Sequence, residues 1–149
     1  MSDEPNAKIV LKTVTGDDTI VETPWAFRLG TDLYRLDNIP FFAYGISLAD
    51  VVEATPEGDD PRPHFRRVVH KSGNRTVRVV ADEGVDRVEQ RMLEDLDHLG
   101  CGYTGANPKY ICVNIPPHVS LDRVVEYLTA TGLKWEYADP TYDELHGQG

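Results

Sequence analysis

Residues able to bind an anion crowd into one stretch of this chain. RPHFRRVVHKSGNRTVR, Arg62 to Arg78, holds six of the 15 Lys and Arg residues and no acid, in a sequence with 25 Asp and Glu. If Ser72 and Gly73 form a two-residue hairpin turn, Arg67 faces Arg78 across two strands, with Lys71 on the same side. Like charges directly opposite one another destabilise a sheet unless something negative lies between them. A phosphate, another small anionic ligand or an acidic partner would serve. So would acids of the chain itself, from PEGDD just upstream or ADEGVD just downstream, and this structural role for Arg67, Lys71 and Arg78 is the preferred expectation.

A second group is aromatic. NIPFFAYG places Phe41, Phe42 and Tyr44 in a loop too apolar for ordinary surface. They would line a ligand pocket at the mouth of an N-terminal sheet. Alternatively, Phe41 and Phe42 would plug a core shared by two lobes, with Pro40 and Gly45 setting the path.

A third group surrounds the two cysteines. A turn centred between Ala106 and Asn107 sets Cys101 opposite Cys112 and Tyr103 opposite Tyr110, with Asn114 on the same face. Adding His98 and His118 makes a Cys2His2 set, but the spacing is not a zinc-finger signature. Two packed, reduced thiols without metal are expected. The paired tyrosines also raise RNA binding, yet RTVRVV has no aromatic and the net charge is unfavourable, so nucleic acid is not the expected partner. Asp50, His64, His70 and Tyr44 would make an acid–base site only if the fold gathers them. No G-x-S-x-G, phosphate loop, H-E-x-x-H or dinucleotide fingerprint occurs, so no catalytic residue and no cofactor is assigned.

The elements that must position these groups follow from hydrophobic period and turn residues. KIVLKTVT, WAFRLG, LYRLDN, SLADVVEA and HFRRVVHK read as strands, with TGDD a turn and TPEGDDPRP an acidic, proline-rich loop. Five short strands without a helix suggest a small, strongly bent sheet or a partly closed barrel. After SGN the period changes. RTVRVV reads as a strand, and Val85, Val88, Met92, Leu96 and Leu99 make a helical stripe stopped by Gly100. GCGY and KYICVNI read as strands, Ser120 caps a second helix that ends at Gly132, and LKWEYA is the last strand. This is the β-α-β-β-α-β order of a ferredoxin-like lobe with both helices on one face. The expected organisation is a tail over 1–7, a β-sheet or barrel lobe over 8–72, a ferredoxin-like lobe over 73–140 and a tail over 141–149. The fold class is α+β.

Composition bounds the function. The 149 residues are 40% hydrophobic and 27% charged, a globular balance, and the net charge is −10. That charge repels nucleic acid and anionic membranes and favours cationic partners. Neither a signal peptide nor an apolar run of spanning length is evident, so a cytoplasmic protein is expected.

YRLDNIPFFAYGISLADVVEA, followed by FRRVVHKSGNRTVRV and LGCGYTG, resembles a bacterial family described as domain of unknown function four-two-six-five, over about residues 8–140. The resemblance implies a small acidic protein of the sort found in toxin–immunity gene clusters and carries over no catalytic residue. The expected function is non-catalytic binding, with an acidic immunity or antitoxin-type surface masking a basic protein. A regulatory small-molecule site at the lobe junction is the alternative, and a nucleic-acid module the third.

Overall fold

The computed structural model describes residues 4–146, and within them the chain forms two compact units that part at Ser72 and Gly73. The protein is α+β, dominated by strands, with three helices among the described residues. None of these helices is long and apolar enough to cross a membrane.

Unit 1 contains seven strands: β1 (Ala7–Lys8), β2 (Leu11–Thr15), β3 (Asp18–Glu22), β4 (Trp25–Gly30), β5 (Leu33–Leu36), β6 (Val51–Glu57) and β7 (Asp60–His70). Five form one sheet in the order β1-β4-β5-β6-β7, and β2 pairs with β3 in a separate hairpin. The core of the unit is the face carrying Ile9, Leu11, Ala26, Leu36, Val52 and Ala54. The sheet is not closed into a barrel, against one of the two sequence expectations. Closure goes as far as one bridge, where Val10 N–H donates to Pro63 and Val10 O accepts from Phe65 N–H. Beyond it the chain pairs with β3, which the sequence reading missed.

Other expectations for this unit are corrected. TPEGDDPRP is no loop. It is the two arms of the β6–β7 hairpin, turning at Gly58 and Asp59. Proline is tolerated there because β7 is an edge strand of its sheet, and Pro56 lies beyond the part of β6 that pairs with β5. SLADVVEA does not resume as a strand until Val51, since Ala49 adopts φ 68°, which breaks the extended backbone. Asn6 and Ala7, expected in a tail, are tied to Ala26. For residues 1–3 and 147–149 the tail expectation lies outside the described residues.

Unit 2 runs β8 (Arg75–Val80), α1 (Gln90–His98), β9 (Gly102–Asn107), β10 (Tyr110–Ile115), α2 (Leu121–Thr131), β11 (Lys134–Asp139) and α3 (Tyr142–His146). Its sheet is antiparallel throughout, in the order β11-β8-β10-β9. Val77, Val79, Ile111, Val113 and Ile115 share one core with Met92 and Leu96 of α1 and with Val124 and Leu128 of α2. Both helices therefore cover one face. α2 is built as read: Ser120 Oγ accepts from Arg123 N–H, and Gly132 closes the helix at φ 76°. α1 is shorter than read, because Val85 lies in a turn on Asp82 and Val88 N–H is taken by Pro108 O. α3 lies in the segment expected to be a tail.

Two register expectations fail. β7 and β8 belong to different sheets, so Ser72-Gly73 is not a hairpin turn and Arg67 does not face Arg78. The β9–β10 hairpin is displaced by three positions, which sets Cys112 opposite Thr104 and Val113 opposite Tyr103. An odd displacement moves a whole strand's side chains to the other face. Cys101 consequently joins the helix-side core while Cys112 lies on the opposite face, and Tyr103 and Tyr110 are likewise on opposite faces. The two cysteines are not cross-strand neighbours.

Candidate functional site

Of the six residues singled out in the sequence, Phe41, Phe42, Tyr44, Arg67 and Lys71 lie in unit 1 and Arg78 in unit 2. Phe41 and Phe42 are half-buried, meet edge to face at 6.3 Å and belong to a loop between β5 and β6; Tyr44 in the same loop is exposed. The loop is held by two carboxylates. Glu22, at the end of β3, accepts from the backbone N–H groups of Phe41, Phe42 and Ala43 at 2.8, 2.8 and 3.0 Å. Asp50 is fully buried and accepts from Ser47 N–H at 2.9 Å, Ser72 N–H at 2.8 Å and the Lys71 ammonium at 2.6 Å. Lys71 also donates to Gly45 O. Lys71 therefore meets the aromatic loop and acts there as a clip.

Each of the other two cations meets an acid across a strand. Arg67 Nε lies 3.4 Å from Glu53, its direct partner on β6. Arg78, in unit 2, is 1% exposed and sits between Cys112 and Glu136, with Nη1 3.8 Å from the Glu136 carboxylate. Elsewhere in the basic stretch, Arg62 grips Asp60 with Nε and Nη2, and Arg66 lies 3.6 Å from Glu57. Its Arg62 partner holds the Asp60 carboxyl well below the usual range. The basic stretch thus meets chain carboxylates, but the PEGDD acids pair with Arg62 and Arg66, whereas Arg67, Lys71 and Arg78, for which PEGDD or ADEGVD was expected, meet acids from elsewhere. Glu53, Asp50 and Glu136 are partners that local sequence could not reveal.

The proposed acid–base group does not converge either. Asp50 is committed to the loop, whereas the buried His64 lies between Glu57 at 3.2 Å and Asp60 at 3.0 Å. No group of three or more His, Cys, Asp and Glu among the described residues is arranged to hold a metal.

A more suggestive surface lies in unit 2, where sequence analysis placed no site. A groove of about 290 Å³ runs beside α1. Val88 and Met92 are its buried apolar floor, and Val85, 42% exposed, stands in it with Leu133. Asp82, Glu89 and Asp95 line it together with Arg87 and Arg91. Across it, Tyr127 of α2 donates to Asp95 of α1 at 2.6 Å. Desolvation by burial, reinforced by that hydrogen bond, pushes the phenol up to about 12, so it stays a donor at neutral pH. Residues 82–97 carry seven acids against two arginines. That imbalance, overlaid on the apolar stripe, was the available signal.

Residues 22–137 match the family model described as Domain of unknown function (DUF4265). The chain belongs to this family. The crystal structure of a hypothetical protein from Neisseria gonorrhoeae resembles this family member with a TM-score of 0.74 at 20% identity, over 93% of this chain and 96% of that one. That likeness concerns the fold. No curated protein matches the chain significantly.

Proposed function

We propose that this DUF4265 protein is a non-catalytic binding protein whose α1 groove takes a cationic, partly apolar segment of a basic protein, as an acidic immunity or antitoxin protein would. The observation carrying this reading is an apolar floor with an acid-rich rim in one groove. Burying Val85 over the floor of Val88 and Met92 contributes hydrophobic free energy, and the surrounding carboxylates select lysine or arginine over neutral competitors. Asp95, held by Tyr127, is pre-oriented for such a contact. The net charge of −10 would speed encounter with a basic partner.

In the same reading unit 2 is ferredoxin-like. The strand order β11-β8-β10-β9 with both helices on one face supports this. Residence in the cytoplasm is part of the proposal, and two cysteines outside any disulfide are consistent with it.

Fluorescence anisotropy with a labelled peptide of alternating Lys and Leu tests the groove, against a Glu and Leu peptide of equal length. Only the cationic peptide should bind, and its affinity should fall steeply as salt rises. Replacing Asp82 and Glu89 together by Lys should abolish binding. Equal affinity for both peptides, or binding unchanged in that double variant, would sink the reading.

A further inference from the structure

A second cleft, of about 540 Å³, opens in unit 1, near the point where the five-stranded sheet stops short of closing. Its size is that of a small-molecule site. Arg28, Arg62, Tyr34 and Asn6 supply its polar lining, Val10 and Pro63 part of its apolar wall, and among the described residues no Asp or Glu lines it. In a chain with 25 acids, a cleft lined by cations and by no carboxylate is a selective environment.

The side chains are positioned from the strands. Arg28 on β4 is directly opposite Tyr34 on β5, so the two share a face. Its backbone N–H is fixed by Asn6 Oδ1 at 3.0 Å, and its Nε donates to Gly30 O at 3.3 Å. Arg28 takes part in no ion pair among the described residues, so its terminal nitrogens keep their charge-assisted donors for a ligand. Arg62 is oriented by its two-nitrogen grip on Asp60. Tyr34 is 8% exposed and its ring lies in the core of the unit, while its hydroxyl is not fully buried and has no hydrogen-bond partner among the described residues. That hydroxyl, open to solvent in the cleft and used by no other group, remains a donor for a ligand. Lys8 adds only its stem, because its ammonium sits over the Trp25 ring at 4.6 Å.

We infer that this cleft binds a small organic oxyanion, a carboxylate or a phosphate ester, with Arg28 gripping the anionic head and Tyr34 donating to it. The planar guanidinium fork suits both heads, and lysine would not replace it. The apolar wall would accommodate the carbon skeleton. This site is independent of the groove in unit 2.

Isothermal titration calorimetry at fixed ionic strength, with pyrophosphate, inorganic phosphate and citrate as probes and chloride as control, tests it. At least one oxyanion should bind with saturation at one site per chain. Preference for the phosphates or for citrate identifies the head group. Arg28→Gln should weaken binding about tenfold or more, and Tyr34→Phe severalfold, the latter preserving the ring that packs in the core. Circular dichroism confirms that each variant is folded. Binding by none of the probes beyond the chloride control, or equal binding by the wild type and both variants, overturns the assignment.

Discussion

Lys71 Nζ lies 2.6 Å from Asp50 Oδ2, and it joins a half-exposed ammonium to a carboxylate with no exposure at all. The two residues differ in how much each depends on the other. Asp50 also satisfies two backbone donors, whereas Lys71 can be solvated. Asp50→Asn should therefore cost about 3 kcal/mol, by setting an amide N–H₂ against donors, and Lys71→Met, which leaves the buried carboxylate to two backbone donors alone, about 2 kcal/mol. Urea unfolding of both variants checks the order. A larger loss for Lys71→Met would refute this account of the clip.

Glu22 makes a second prediction. Its carboxylate gathers three consecutive N–H groups, and a glutamine offers one acceptor oxygen in place of two. Glu22→Gln should leave the fold intact and accelerate hydrogen exchange at Phe41, Phe42 and Ala43 by about tenfold, with little change in β8 or β10. Uniform acceleration across the chain would mean global destabilisation instead.

Arg67 and Arg78 should respond oppositely to alanine. The Arg67 side chain is mostly solvated, and an exposed pair of this kind contributes within about 0.5 kcal/mol. Arg78 is the largest of the fully buried side chains, so truncation removes packing as well as an ion-pair partner of Glu136. Its loss should cost about 3 kcal/mol. Melting curves of the two variants, recorded side by side, decide the matter, and equal melting temperatures would contradict the burial argument.

The Cys101 thiol is raised to about 11, chiefly because burial penalises the thiolate, with Arg75 pulling weakly the other way. A raised pKa in the folded state stabilises the native protein below the unfolded value near 9. That contribution is lost as pH climbs from 9 towards 11, since only the unfolded chain then gains by ionising. The native protein should resist a thiol-specific disulfide reagent at neutral pH at Cys101, and stability should decline over that alkaline window. Rapid native labelling at Cys101 would disprove this.

What the sequence made legible was local. The Ser120 cap, the Gly132 stop and the alternation of Ile111, Val113 and Ile115 each express a preference contained within a few residues, and each appears in the structure. The misses required knowledge of distant strands. Pro56, Pro61 and Pro63 mark a loop by composition, yet the sheet places them where no ladder donor is required. The register of Cys112 depended on where a turn near Pro108 and Lys109 began, and three positions were enough to move Tyr103 to the face opposite Tyr110. The α1 groove was missed because ADEGVD was read as a source of counter-charges for the basic stretch, and Val85 and Val88 as a helical stripe, each apart from the other. Arg28 and Tyr34 come together through strand pairing that no spacing in the sequence signals.

The aromatic loop carries one more implication. Phe41, Phe42 and Ala43 take their backbone path from a glutamate about twenty residues upstream, and Ser47 and Gly45 are pinned by Asp50 and by a lysine just past the end of β7. NIPFFAYGIS is for that reason not a portable motif. Excised as a peptide or grafted onto another scaffold, it would carry the residues and lose the shape, because the instructions for its conformation are stored in its neighbours.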